Sequence, residues 1–218
     1  MRITEPNFDP VARSYRWIEY LALGTALENC RNHFLPLLRD RHHALVLGDG
    51  DGRFTCKLLA ANPNIAINAV DISAAMLELL RKRCEATAPH SSTRLRTHRA
   101  NALTLPLGVS ANRYDLVVTH FFLDCLTQPE LESLIVQVAP NLTPAALWLI
   151  SDFRIPVGIM RLPAKLLVRT LYLGFRLLTG LRPTQLPDYV TPLRHSGLTR
   201  IAHQHRLGGI LVTELWQT

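Results

Sequence analysis

Short apolar runs alternate with segments of helical periodicity over most of the chain. The first apolar run, Ala44 to Asp49, ends in glycines, which is typical of a buried strand that enters a turn. Four further strand-like runs follow at intervals filled by helical or polar sequence: Ile65 to Asp71, Arg94 to Arg99, Tyr114 to His120 and Ala145 to Asp152. This alternation predicts a parallel sheet with helices on both of its faces.

The two ends of the chain depart from this alternation. Apolar side chains at helical spacing predict an N-terminal helical cap within residues 1–40. Near the other end, Gly208-Gly209 separates two strand-like runs, Thr199 to Arg206 and Ile210 to Trp216. Two glycines between strands predict a hairpin, because tight hairpin turns need positive φ.

Length and composition fit one domain with a sizeable core. We therefore predict a single α/β domain over residues 1–218, a Rossmann-like three-layer sandwich whose mostly parallel seven-stranded sheet ends in an antiparallel hairpin. The cysteines form no C-x-x-C pair, which argues against a zinc site and a disulfide framework: they are Cys30, Cys56, Cys84 and Cys125. We expect a reduced cytoplasmic protein without a metal, a signal peptide or a transmembrane helix.

A glycine-rich turn at residues 48–52 (GDGDG) follows the first strand. Glycines let the backbone pass close to a ligand, and the N–H groups of a helix N-terminus hold polar ligand atoms. The next strand ends at Asp71, from where a carboxylate can accept both hydroxyls of a ribose. These features predict a nucleoside-type cofactor. A nicotinamide fingerprint does not fit, because its third glycine would fall on Arg53 or Thr55.

The sequence around this turn resembles a known family. LVLGDGDGRF at residues 45–54 and VDISAAML at residues 70–77 resemble the first two motifs of class I S-adenosylmethionine (SAM)-dependent methyltransferases. FDPVARSYRWIEY (8–20) and YDLVVTHFFLDCL (114–126) resemble the small-molecule subgroup that includes ubiquinone and menaquinone C-methyltransferases. The resemblance implies SAM as the methyl donor, S-adenosylhomocysteine (SAH) as the product, and no metal.

The resemblance also assigns contacts to the donor. Gly48, Gly50 and Gly52 match the glycines that pass around the methionine part of SAM. Asp71 matches the acid that holds the ribose, and Ile72 matches the apolar residue that packs on the adenine.

Further donor contacts are implied near later strand ends and the N-terminus. Asn101 and Ala102 fall where the family has an acid and a small residue beside the adenine amino group, and an Asn carbonyl can still accept that N–H. Thr119 and His120 fall near the methionine moiety, and Tyr15 matches an aromatic residue that closes over the cofactor.

Two positions depart from the family pattern, Asn101 and Val46. Val46 stands where an acid usually helps to hold the amino group of SAM, two residues before the first motif glycine. Asp49 and Asp51, inside the loop, are the candidate replacements.

Methyl transfer depends on alignment and exclusion of water more than on a catalytic base. His120 is the candidate base, since it ends a central strand where open α/β sheets bind ligands. Asp124 is the candidate residue that orients His120 or binds the substrate, and Phe121 and Phe122 are candidates for an aromatic wall. Two alternatives stay open: His120 only lines the pocket, and Asp124 only caps the helix near Leu126.

Residues 153–187 are predicted to form a helical insert that acts as a lid. The insert has no acid and six basic residues: Arg154, Arg161, Lys165, Arg169, Arg176 and Arg182. Four of these fall within an arc of about 80° on a helix, with leucines over much of the rest. This pattern is typical of an interfacial helix, and we predict contact with an anionic membrane surface. The alternative is an amphipathic helix packed on the sheet with a solvated basic face.

The leading functional prediction is methyl transfer from SAM to a small, lipophilic acceptor, with peripheral membrane association. One alternative is a non-catalytic SAM-binding or membrane-associated protein of the same fold. Another is an RNA or protein methyltransferase, which the net charge of +7 suggests. The basic residues of the insert are interleaved with leucines rather than with stacking aromatic residues, so no specific nucleic acid is expected.

Overall fold

The computed structural model describes residues 25–88, 91–104, 113–180 and 182–218. Seven strands form one sheet in the order β3-β2-β1-β4-β5-β7-β6. The first five are parallel, and β7 is antiparallel to both β5 and β6, as the sequence predicts. The strands are β1 (His43–Leu47), β2 (Ala66–Asp71), β3 (Leu95–Arg99), β4 (Tyr114–His120), β5 (Leu142–Phe153), β6 (Thr199–Arg206) and β7 (Leu211–Gln217).

Six α-helices lie within the described ranges. They are α1 (Ala26–Asn32), α2 (Arg53–Ala61), α3 (Ala74–Thr87), α4 (Gln128–Val138), α5 (Arg161–Thr179) and α6 (Val190–His195). Of the predicted N-terminal cap, residues 1–24 lie outside the described part of the chain, and α1 is followed by a 3-10 turn at Leu35–Leu38. The helix predicted after the fifth strand is α5.

Side-chain caps explain where two of the helices begin. The Ser73 hydroxyl accepts a hydrogen bond from the Met76 backbone N–H at 3.1 Å, as predicted for α3. Thr127 and Glu130 form a reciprocal capping box at the start of α4. The alternative in which Asp124 caps this helix is therefore wrong.

Two apolar cores cover the two faces of the sheet. Leu38, Phe54 and Leu80 belong to the core under α2 and α3. Trp148 and Leu193 belong to the core under α4 and α6. Successive side chains of a strand point to opposite faces, so each buried strand contributes to both cores.

The carboxyl ends of β1 to β5 meet at one edge of the sheet, because these strands are parallel. This edge is where open α/β sheets bind ligands. No helix within the described residues is long and apolar enough to span a bilayer.

Candidate functional site

The glycine loop leaves β1 in close contact with its neighbours. The loop glycines have positive φ, and the Gly48 N–H donates to the Val70 carbonyl at 2.9 Å. A Cβ on Gly48 would lie 2.3 Å from Cδ2 of Phe122, and a Cβ on Gly52 would lie 2.5 Å from Cγ of Leu80. These two positions therefore require glycine.

Gly50 has a different environment from the other two glycines. A Cβ built on Gly50 would meet only the Met76 sulfur, at 3.8 Å. The loop thus leaves space beside its middle residue, where a ligand can approach the backbone.

The two loop carboxylates are engaged within the protein. Asp49 accepts from the Thr55 backbone N–H at 2.8 Å and from the Thr55 hydroxyl at 2.7 Å, and burial raises the pKa of Asp49 to about 6. Asp51 accepts from Arg53 at 3.2 Å and from Arg83 at 2.8 Å. Both side chains thus connect the loop to α2, and Asp51 also connects it to α3. In each residue these contacts engage one carboxylate oxygen, Oδ2, and the replacement of the acid absent at Val46 by Asp49 or Asp51 stays a prediction.

Asp71 is the last residue of β2, and Asn101 lies just beyond the end of the paired strand β3. One Asp71 carboxylate oxygen accepts from the Ser73 N–H at 2.8 Å, and its backbone carbonyl accepts from the Ala100 N–H at 3.1 Å. The Asn101 side-chain carbonyl accepts from the Leu103 N–H at 3.0 Å. A carboxylate has about four acceptor positions and an amide carbonyl two.

These groups fit the adenosine part of SAM. The open side of Gly50 and the carboxylate of Asp71 lie at the ends of adjacent strands. Ile72 is half-buried, and Ala102 is buried in the neighbouring core. Tyr15 lies outside the described residues.

Thr119 and His120, the last residues of β4, face opposite sides of the sheet. The Thr119 hydroxyl accepts from the Trp148 indole N–H at 3.1 Å and is fully buried. The His120 ring packs edge-on against Phe54, with centroids 4.4 Å apart. Neither ring nitrogen of this buried histidine has a hydrogen-bond partner in the described part of the protein.

The environment of His120 opposes its protonation. Burial, and then the positive charge of Arg31, hold the pKa of His120 well below its ordinary value. The imidazole is therefore neutral near pH 7 and a weak base. The predicted hydrogen bond from Asp124 to His120 is absent from the structure, which corrects that orienting role.

A strained aromatic residue follows His120. Phe121 has a φ of 51°, a left-handed conformation that is rare for a bulky side chain. Its N–H donates to the Ser151 carbonyl at 2.7 Å, and the Arg31 guanidinium carbon lies 5.0 Å from its ring centroid. Sequence reasoning missed Arg31, a buried cation in α1. Strain of this kind clusters at functional sites.

A pair of buried carboxyl groups lies at the ends of β4 and β5. The Asp124 N–H donates to an Asp152 carboxyl oxygen at 3.2 Å, and both residues are buried. Burial raises the pKa of Asp124 to about 6. Burial, and then the charge of Asp124, raise the pKa of Asp152 well above its ordinary value. Two neighbouring buried carboxyls resist ionising together, so Asp152 holds its proton when Asp124 ionises.

Helix α5 contacts this pair directly. The Tyr172 hydroxyl donates to the backbone carbonyl of Asp124 at 2.9 Å. The Cys125 sulfur lies 3.7 Å from an Asp124 carboxyl oxygen. Sequence reasoning missed Asp152 and Tyr172. Asp152 could have been found from the sequence, because it is an acid at the end of a strand-like apolar run, as Asp71 is. No sequence pattern points to Tyr172.

The profile of a methyltransferase-domain family matches residues 45–147. That segment runs from β1 into β5 and includes the glycine loop, Asp71, His120 and Asp124. No curated protein matches the sequence at a significant level.

Many solved structures share the fold. Mitomycin 7-O-methyltransferase MmcR matches with a TM-score of 0.68 at 14% identity, over 97% of this chain and 60% of that one. The N-methyltransferase NodS from Bradyrhizobium japonicum in complex with SAH has a TM-score of 0.59 at 14% identity, over 88% and 87%. An O-methyltransferase family 2 protein from Planctomyces limnophilus in complex with apigenin has a TM-score of 0.67 at 17% identity, over 94% and 62%.

Residues 45–147 therefore match a methyltransferase domain, and the chain has the fold of SAM-dependent methyltransferases. This confirms the family predicted from residues 45–54 and 70–77 at the level of domain and fold. The chain spans 60% to 65% of the length of the first three methyltransferases that it matches. The ubiquinone and menaquinone subgroup and the individual site residues stay predictions.

Proposed function

We propose that the protein transfers a methyl group from SAM to a small, lipophilic acceptor. One observation carries the proposal: a set of residues suited to the donor and a set suited to the acceptor lie at the same edge of the sheet. The glycine loop and Asp71 suit the donor. The buried pair Asp124 and Asp152 suits an acceptor that must lose a proton.

On the donor side, SAM supplies an electrophilic methyl group when bound. Asp71 accepts hydrogen bonds from the ribose hydroxyls, and Asn101 accepts one from the adenine amino group. The backbone at Gly50 allows close approach of the methionine part. His120 offers two unpaired ring nitrogens to polar atoms of the donor while it excludes water.

On the acceptor side, we assign the proton-accepting role to Asp124 rather than to His120. A general base works best when its pKa lies near the working pH. The pKa of Asp124, at about 6, meets this condition, whereas that of His120 is held well below its ordinary value. Asp152 keeps its own proton and hydrogen-bonds the Asp124 carboxylate. A hydroxyl or protonated amine acceptor suits this pair.

The surroundings of the pair support a lipophilic acceptor. Val168 and Tyr172 of α5 form an apolar cluster with half-buried neighbours: Cys125, Phe153, Ile155, Phe175 and Leu186. The Phe121 and Phe153 rings also lie 5.3 Å apart. Such a setting favours a ring or chain over a highly polar acceptor. We further propose that the enzyme meets this acceptor at an anionic membrane surface.

A non-catalytic SAM-binding protein is the second candidate. Val46 favours it, because no acid stands at that position to help hold the amino group of SAM, and Asp49 and Asp51 already bond to groups of the protein. Weak donor binding without turnover is what this candidate predicts.

Calorimetric titration with SAM, SAH and NADH separates the cofactor classes. Micromolar binding of SAM and SAH without binding of NADH is expected. Formation of SAH is then measured with lipophilic phenols, quinols and amines as acceptors. Binding with no turnover on any acceptor class would favour the non-catalytic candidate, and no binding at all would overturn the proposed donor.

A further inference from the structure

The outward face of α5 is apolar. Ala164, Val168, Tyr172 and Thr179 are buried against the rest of the protein. Four leucines point to solvent, with exposed fractions of 76%, 69%, 59% and 78%: Leu162, Leu166, Leu173 and Leu177. At about 100° per residue these leucines span an arc of about 60°, centred about 145° from the buried residues. The alternative of an amphipathic helix packed on the protein with a solvated basic face agrees with this burial, but it does not account for the exposed leucines.

The leucines belong to a larger exposed patch. Eleven large apolar residues are strongly exposed in the described part of the chain, and seven of them lie between Val157 and Leu178. Single exposed apolar residues are ordinary on a protein surface, whereas a contiguous group marks an interaction site. We call the four leucines of α5 with Val157 and Ile159 the leucine face.

Basic residues border the leucine face on one side. Arg161, Lys165, Arg169 and Arg176 are exposed, and the last three lie between the leucine arc and the buried side of α5. No acidic residue occurs from residue 153 to residue 187. The surface therefore combines an apolar centre with an uncompensated positive border.

We propose that the leucine face docks on the surface of an anionic lipid bilayer. Leucines enter the boundary between headgroups and acyl chains, and the basic border meets lipid phosphates. A second copy of the chain is a poorer occupant. A twofold interface would bring the same basic border against itself with no acid of the insert to neutralise it.

Docking in this orientation brings the bilayer close to the acceptor side of the site. Tyr172 lies on the opposite side of α5, and its hydroxyl donates a hydrogen bond to the backbone carbonyl of Asp124. The width of one helix, about 10 Å, thus separates the outward leucines from the backbone of Asp124. This consequence rests on the proposed function, whereas the docking itself does not.

The test uses the full chain without SAM or acceptor. Co-sedimentation is measured with vesicles of phosphatidylcholine alone and of phosphatidylcholine mixed with phosphatidylglycerol. We expect binding to the mixed vesicles that weakens with added salt. The variant Leu166→Glu/Leu173→Glu should bind at least about tenfold more weakly, because charges enter the apolar face. Lys165→Gln/Arg169→Gln should lose the preference for anionic vesicles.

Val136→Glu is the matched control, since Val136 is 67% exposed on α4. It should bind vesicles as the parent chain does, and circular dichroism should show all variants folded. No binding to anionic vesicles at low salt would overturn the proposal, as would equal binding of the control and the leucine variant. Concentration-dependent dimers abolished by the leucine substitutions, without vesicle binding, would identify a second copy instead. Calorimetric titration of the same samples with SAM tests donor binding independently of vesicle binding, so failure of one proposal can be told from failure of the other.

Discussion

Four ionisable side chains are withdrawn from water near the carboxyl edge of the sheet. Burial raises the pKa of Asp49 and of Asp124 to about 6 each, and that of Asp152 further. It lowers the pKa of His120. Each shift disfavours the charged form, so each of these groups becomes charged less readily than it would in water. The same shifts make pH the natural probe of both activity and stability.

Activity should rise with pH as Asp124 loses its proton. We expect kcat/KM to increase through about pH 6 and to level off above it. Asp124→Asn should lower kcat by about 10²- to 10⁴-fold, the usual contribution of a general base. Asp152→Ala removes the hydrogen bond by which Asp152 lowers the pKa of Asp124. In this variant the rise of kcat/KM with pH should therefore occur at higher pH than in the parent chain.

The control for this pH profile is Asp40→Asn, at an exposed position. Its profile should match that of the parent chain. An acid limb that persists unchanged in Asp124→Asn would remove Asp124 from the role of base and return it to a structural one.

Asp49 makes stability depend on pH in a defined direction. Its folded pKa lies near 6 against an ordinary value of 3.8, so the native state binds the proton more tightly than the unfolded chain. Burying the charged Asp49 carboxylate lowers the stability of the folded state. This cost is absent below a pH of 3.8 and fully present above a pH of about 6. In Asp49→Asn the amide carbonyl can still accept from Thr55, and the charge is gone.

The measurement for Asp49 is urea unfolding of parent and variant at several pH values. Between about pH 4 and 6, falling pH should favour the parent chain over Asp49→Asn by about 1 to 3 kcal/mol. Taking the difference cancels the opposite contribution of His120, which both chains share. A difference that does not change over this range would show that the Asp49 carboxyl is not buried as described.

At the scale of elements, hydrophobic periodicity located most of the fold. The predicted bounds of β4 and β6 match the structure to the residue, because each is a strand-like run with clear ends. The start of β5 was predicted at Ala145, three residues late, because Ala145 has a φ of 60° and breaks the pattern inside the strand. Contacts between distant elements escaped prediction. Tyr172 and Asp124 are 48 residues apart, and no periodicity links them.

Helix α5 should affect acceptor binding through Tyr172. Tyr172→Phe keeps the packed ring and removes the hydrogen bond to the Asp124 carbonyl. We expect a loss of about 1 kcal/mol in the free energy of unfolding. KM for the acceptor should rise, while the Kd for SAM stays unchanged. Thr170→Ala, at an exposed position of the same helix, is the control and should alter neither constant. An equal change in both constants would mean that α5 supports the whole edge rather than the acceptor side.

The whole molecule divides the proposed reaction between two parts of one sheet. The strand ends of β1 to β3 face the donor, and those of β4 and β5, covered by α5, face the acceptor. The proposed donor site is formed by segments that are far apart in sequence but follow adjacent strands. These segments are the glycine loop, Asp71 and Asn101. A ligand that bridges these loops therefore stabilises the fold as a unit.

This bridging should appear as a thermal shift. SAH at about a hundredfold excess over its Kd adds about 2.7 kcal/mol to stability. For a domain of this size we expect Tm to rise by about 5 to 10 °C. Asp71→Asn keeps an acceptor for the Ser73 N–H but loses the charge that holds the ribose, so most of the shift should disappear. Asp40→Asn should keep the full shift. An undiminished shift in Asp71→Asn would exclude the ribose role. No shift in the parent chain would end the donor proposal and leave the docking of α5 on lipid to stand or fall by its own test.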